Sequence, residues 1–443
     1  MTIRVRTEGS RMPSTPSAVA IEATLQELVP LLTPVRPTGR GRPEILPATL
    51  LWSGLLLCVL HKAVHQTSLW RLLHQTGLWH FPKILVSAEA VRVRLLRTGP
   101  AAIQTWFTDI TALLDQQFPP VVSLAPFANG VYAIDESTLD DVKRTLPMLR
   151  NVPNGDDRLL PGKLQTVFNI RTQRFHHVQT TDLPHQNEKV ASRDLLRTIP
   201  SGSLVLADQG YFAFKWFDDL TDSGYHYISR LRKRISHEVV HVLAAGNGVR
   251  DELIWLGTYR ADRAKHLVRL ITVIYKGKPY RYITNVRDPE ILPIRDVVEC
   301  YARRWTIEQA FGTIKRDLGL HLLWSAHWEL ILTQLYGVLI IAQIASAIRG
   351  EIARRGGYDY FEVSMTLLLR ELPWMLSQRR DDQSIIDALA ALPKEKYGFI
   401  RDSTMTRFDL PEPEPTVPPP PNLPLTRTPR YANKQRNPKV TQV

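Results

Sequence analysis

Two short apolar runs, each delivering an aspartate at its end, constrain this chain more than any other feature. Gly130 to Ile134 (GVYAI) leads into Asp135, and Ser203 to Ala207 (SLVLA) leads into Asp208. Runs of this length, rich in Val, Ile, Leu and Ala, predict buried strands. Helical spacing follows the second, from Phe212 to Thr221, so this part of the chain predicts an α/β layer. Such sheets bind ligands beyond the carboxyl ends of their strands, and both aspartates stand there. Two carboxylates side by side repel, and a divalent cation is their natural neutraliser. Each alone reads more readily as an N-cap for the element that follows, so the metal reading rests on the pair.

The rest of the chain arranges itself around this layer. Residues 1–45 predict a flexible basic segment containing Gly39-Arg40-Gly41-Arg42-Pro43. Arginines in such a hook enter A·T-rich minor grooves, although a plain basic linker has the same composition. Residues 46–125 predict a helical domain, with apolar residues at Leu51, Leu55 and Val59 and again at Leu69, Leu72 and Leu73. Residues 126–230 hold the first part of the α/β core. Further strands are expected there at Lys163 to Ile170, Arg174 to Thr181 and Tyr225 to Arg230, with a helix at Val190 to Thr198. Residues 231–288 switch to β-rich alternation, and residues 289–400 return to helix. The last segment, 401–443, includes ten prolines and five Lys or Arg from Pro411 onward, which predicts an extended, disordered basic tail.

Composition excludes several classes. Lys and Arg number 56 against 43 Asp and Glu, a net charge of +13, and a polyanion is the partner this implies. The two cysteines, Cys58 and Cys300, fall in no metal-ligand spacing, which argues against a disulfide framework or zinc and suits a reducing, cytoplasmic setting. The first twenty residues lack the apolar core of a secretory signal. Leu330 to Ile348 is long enough to span a bilayer, but Gln334 and Gln343 interrupt it. A helix buried in a protein core explains that run without a membrane.

A third constellation lies further along. Tyr301, Arg304, Glu308 and Lys315 fall, at about 100° per residue, within roughly a 60° arc of one helix. Ile307, Phe311 and Ile314 occupy another face, suited to packing on the sheet. A solvated face with an Arg304–Glu308 pair would show the same periodicity. A tyrosine and two cations in line with one acid also suit a carboxylate on a metal with cations on neighbouring phosphates.

The spacing Y-x2-R-x3-E-x6-K resembles the signature of bacterial insertion-sequence transposases of the DDE type, the IS-four group. YAIDESTLDDV and LVLADQGYF resemble the first and second aspartate motifs of that group, in the same order. The resemblance implies an RNase H-like mixed sheet flanked by helices. It also implies a β-rich insertion between the second Asp and the Glu, which here lie a hundred positions apart. It implies Asp135, Asp208 and Glu308 as catalytic metal ligands for two Mg²⁺, with Mn²⁺ able to substitute. Tyr301, Arg304 and Lys315 would be DNA contacts, with Arg40 and Arg42 as further ones. The partners implied are double-stranded DNA, as terminal inverted repeats and target, and a second copy of the chain. Trp255, Tyr280 and Tyr282 are candidates to hold a flipped base, with a core position the commoner role for each. A nuclease that cuts without joining and an inactive DNA-binding remnant are the alternatives.

Overall fold

The computed structural model describes residues 46, 48–77, 83–139, 162–182, 194–259, 262–320, 322–325, 327–377 and 410–431. They divide into two compact units. The first comprises residues 1–122, 136–186 and 306–405, and the second residues 123–135, 187–305 and 406–443. Arg40 and Arg42 lie outside the described residues.

The first unit is built on one long helix. Its helices are α1 (Ala48–Leu60), α2 (Thr67–Arg71), α3 (Ala88–Thr98), α4 (Ala101–Gln117), α7 (Trp305–Gly312, from Thr306 onward), α8 (Trp328–Gly356) and α9 (Met365–Ser377). Nearly every residue of α8 from Leu330 to Ile348 is buried, on all sides, because α1, α4 and a strand hairpin cover it. Gly337 lets α1 approach: a Cβ there would stand 2.5 Å from Leu55 Cδ2. The two glutamines that argue against a bilayer are satisfied inside the protein. Gln343 accepts from the Phe175 amide (3.0 Å) and donates to Thr111 Oγ1 and the Phe175 carbonyl (2.7 Å each). Gln334 accepts from the Trp324 amide (2.9 Å) and donates to the Leu322 carbonyl (3.0 Å). A buried amide is tolerated only with such partners, so the run is a core helix.

The hairpin is β2 (Lys163–Asn169) with β3 (Arg174–Thr181), antiparallel. Asn169 Oδ1 caps the turn by accepting from the Arg171 and Thr172 amides, and Gln173 takes a positive φ of 56°. Arg174 is buried and bonded to Asp115 Oδ1 at 2.8 Å.

The second unit is mostly sheet. Its strands are β1 (Val131–Thr138, through Asp135), β4 (Leu204–Ala207), β5 (His226–Arg230), β6 (His237–Gly246), β7 (Val249–Leu256), β8 (Leu267–Tyr275), β9 (Lys278–Thr284) and β10 (Glu414–Pro415). Helices α5 (Phe214–Asp222) and α6 (Ile294–Arg303) belong with them. β1, β4 and β5 are parallel neighbours, and β9, β8, β7 and β6 continue antiparallel. The full order is β10-β6-β7-β8-β9-β5-β4-β1-β2-β3, a ten-stranded mixed sheet flanked by helices.

Three expectations are corrected. β1 does not stop at Asp135 but runs to Thr138, because Glu136 finds partners on β2, with Lys163 Nζ at 2.6 Å. The single helix expected to carry Tyr301, Arg304, Glu308 and Lys315 is divided: α6 ends at Arg303, α7 follows, and Thr313–Asp317 is wound as a π-helix. The tail expected to be disordered is ordered from 410 to 431, within the second unit. A proline-rich segment builds no core, yet it can add to an exposed strand edge, where missing amides cost little. β10 pairs with β6, and the Thr416 amide donates to the Leu243 carbonyl at 2.9 Å. Arg427 lies over Trp255 (4.8 Å) and donates to the carbonyls of Leu256, Gly257 and Ala264.

Candidate active site

Register places the two aspartates side by side. Val131 to Ile134 pair in parallel with Leu204 to Ala207, so Asp135 and Asp208 are each one position past the last pair. Apolar residues fill both strands beneath them, which fixes the backbone from which the carboxylates project. Asp208 also caps the turn that follows: its Oδ1 accepts from the Gly210 amide at 2.7 Å, opening the 3-10 turn Gln209–Tyr211. Its Oδ2 accepts no hydrogen bond among the described residues. Arg232 donates to the Gln209 carbonyl (Nε at 2.9 Å) and stacks on Phe212 at 5.6 Å, which brings a cation to the loop after Asp208.

The other half of this face comes from α6 and the antiparallel strands. Arg304, the residue between α6 and α7, directs Nη1 to Asp135 Oδ2 at 3.5 Å, with side chains 12% and 19% exposed. The same guanidinium lies over the Tyr301 ring at 5.9 Å, and Tyr301 packs on Tyr282 with centroids 5.2 Å apart. Burial pushes the Tyr301 hydroxyl above its usual range, while Arg304 and Arg230 oppose that rise. Burial likewise raises Tyr282, to about 12. Both phenols are therefore neutral donors near pH 7.

Arg230 was not singled out in the sequence, although it ends the third parallel strand. Ala207 pairs with Ser229, so Arg230 follows Asp208 across the sheet as Asp208 follows Asp135. Strand ends alone carried that signal. Of the aromatic candidates, Trp255 and Tyr282 are buried core residues, whereas Tyr280 is half-buried beneath Arg230 at 5.2 Å.

Glu308 and Lys315 belong to the first unit. Glu308 is half-buried in the first turn of α7, while Ile307, Phe311 and Ile314 on the other face are buried as the spacing predicts. Lys315 Nζ donates to the Thr138 carbonyl at 2.5 Å, so it braces the end of β1. The π-turn changes the angular advance just where Lys315 sits, and the single stripe read from 100° steps does not carry through.

Hard oxygen donors in register, one with an uncommitted oxygen, fit a divalent cation at Asp135 and Asp208. Among the described residues, no group of three or more His, Cys, Asp or Glu stands close enough to hold a metal ion.

Residues 142–344 match the family described as the transposase DDE domain, a stretch that begins just after Asp135 and includes Asp208 and the Tyr301–Lys315 segment. The chain is similar to the transposase InsG of insertion sequence element IS4 from Escherichia coli (strain K12), 28% identical over 266 residues, covering 58% of this chain and 59% of that protein. It is also similar to the transposase of insertion sequence element IS231F from Bacillus thuringiensis subsp. israelensis, 23% identical over 266 residues, covering 48% of this chain and 55% of that one. The chain thus spans less than two thirds of the length of these curated relatives. A solved structure, a piggyBac transposase synaptic complex with hairpin DNA, aligns over 86% of this chain and 83% of its own at 11% identity, with a TM-score of 0.42.

Proposed function

We propose that this chain, a relative of the bacterial insertion-sequence transposases of the DDE type, cuts DNA at the inverted repeats of its element and joins the freed 3′ ends to target DNA. The observation that carries this reading is the Asp135–Asp208 pair, in register at the carboxyl ends of two parallel strands. Asp135 and Asp208 would hold the divalent ions, with Glu308 completing the acid set. When bound, two Mg²⁺, or Mn²⁺ in their place, supply an activated water or 3′-hydroxyl and stabilise the leaving oxygen of an in-line displacement.

The remaining steps belong to side chains. Before DNA arrives, Arg304 offsets the charge of Asp135 across 3.5 Å. With a backbone phosphate in place, the guanidinium turns its planar donor fork to the phosphate oxygens. Tyr301, neutral and backed by Tyr282, donates its hydroxyl to the same strand. The basic balance of +13 draws the polyanion in. Two element ends must be held together, so the working form is a dimer on double-stranded DNA.

The test uses a labelled duplex carrying the inverted repeat that brackets the reading frame, plus a supercoiled target. Mg²⁺ should support both cleavage and joined product. Cleavage without any joined 3′ end would leave a nuclease, and no cleavage under any divalent ion would overturn the reading.

A further inference from the structure

Three arginines among the described residues, Arg269, Arg174 and Arg427, are paired in ways that serve the fold. Arg269 is fully buried and bonded to Asp251 (Nε to Oδ1 at 2.8 Å, Nη2 to Oδ2 at 2.6 Å) and to the Leu292 carbonyl (2.6 Å). Arg174 is held by Asp115, and Arg427 by three carbonyls. Arg269 and Arg174 are buried, and these partners satisfy guanidiniums that water cannot reach, as burial requires.

Arg230 departs from that pattern. It ends β5, half-buried, at the same edge of the sheet as Asp135 and Asp208. Among the described residues its guanidinium makes no hydrogen bond and no ion pair; it lies over the Tyr280 ring, 5.2 Å from the centroid. Asp135, Asp208 and Arg230 each directly follow the last paired residues Ile134, Ala207 and Ser229, and Arg230 pairs with Tyr282 on β9, so the four lie at one edge of the sheet. Tyr301 of α6 and Arg304, just after that helix, pack against Tyr282 and Asp135 there. That edge thus carries two carboxylates and two guanidiniums. Arg304 is committed to Asp135, and the donors of Arg230 are open. Five planar donors beside a cation-binding carboxylate suit an anion bridging the two, and for a DNA-cutting enzyme that anion is a phosphodiester.

We propose that Arg230 is a catalytic residue that binds the phosphate at the cleavage position, next to Asp208, through its guanidinium fork. This rests on the DNA-cutting reading above. Tyr280 holds the side chain extended until the phosphate takes its donors, a preorganisation that costs no buried ion pair. Its fork adds to the charge stabilisation of the displacement.

The experiment compares wild type with Arg230→Ala, Arg230→Lys and Arg230→Gln. It measures single-turnover cleavage of the inverted-repeat duplex, intact or with one neutral methylphosphonate near the cut, and the salt dependence of duplex binding. Loss of an oxyanion-type donor costs on the order of 100-fold in rate, and Arg230→Ala should show it at saturating DNA. Arg230→Lys should recover little, since an ammonium lacks the fork. The methylphosphonate penalty seen with wild type should vanish at one position in Arg230→Ala, and the salt slope should fall by about one. Wild-type cleavage rates in Arg230→Ala, or a rate loss that keeps the full methylphosphonate penalty at every position, would overturn the proposal. If wild type itself fails to cleave, the DNA-cutting reading falls separately. The salt slope then decides for Arg230: a drop of about one keeps its phosphate contact, and an unchanged slope removes it.

Discussion

Asp135 and Asp208 stand side by side on neighbouring parallel strands, each one residue beyond the pair Ile134 and Ala207. Their roles differ despite that symmetry. Asp135 faces Arg304, and Asp208 spends one oxygen capping the turn after β4. One substitution series can therefore separate chemistry from architecture.

Asp208→Asn keeps an oxygen able to accept from the Gly210 amide but loses the charge. It is expected to abolish Mg²⁺-dependent cleavage with thermal stability and duplex binding unchanged. Asp208→Ala loses the cap as well, and should also cost about 1 kcal/mol of stability. Parallel urea titrations and cleavage assays read both. Equal stability of the two variants would remove the capping role, and cleavage by Asp208→Asn would remove the metal role.

Lys315 offers the reverse test. Its ammonium donates to the Thr138 carbonyl at 2.5 Å, a charge-assisted bond at the end of β1. Lys315→Met should lower unfolding free energy by roughly 1.5 kcal/mol and leave the salt slope of DNA binding unchanged. An unchanged midpoint with a slope lower by about one would return Lys315 to the phosphate role expected from the spacing.

The aspartate strands were legible because a buried strand needs little besides a short apolar run, and GVYAI and SLVLA supply it. The strands Lys163 to Ile170 and Arg174 to Thr181 were legible as well, and the structure joins them by a turn that Asn169 caps. Arg230 escaped notice because its meaning depends on the order of strands β4 and β5, which is a long-range property. The break at Arg304 and the π-turn at Thr313–Asp317 escaped because 3.6-residue arithmetic assumes a regular helix. The tail was misread because composition reports what a segment can bury alone, and not the open edge of β6 that another segment leaves for it.

That edge supports a further prediction. Removing residues from 410 onward would uncover β6 and the Trp255 face on which Arg427 lies. The shortened chain should show red-shifted tryptophan emission, a lower thermal midpoint and concentration-dependent association, because an uncovered edge pairs with other chains. Arg427→Ala should reproduce the emission change with β10 still in place. A truncated protein as stable and monodisperse as the full chain would mean that the segment contributes nothing to the sheet.

Acid should weaken the protein through its histidines. Burial holds His61, His177 and His226 below the ordinary value of 6.5, and the neighbouring His176 pushes His177 further in the same direction. His226 is set edge-on to Phe127, with centroids 5.4 Å apart, where an imidazolium would lose hydration. In the unfolded chain these rings protonate near 6.5; in the folded chain they do so only at lower pH. Between those values the unfolded state binds more protons, so stability is complete above about pH 6.5 and declines as pH falls through the folded values. The thermal midpoint, followed from neutral pH into the acid range, should drop in that window. His226→Gln, which cannot titrate, should flatten part of the decline and keep the neutral-pH midpoint close to that of wild type. A decline of undiminished steepness in His226→Gln would assign the acid sensitivity to His61, His177 and the carboxylates.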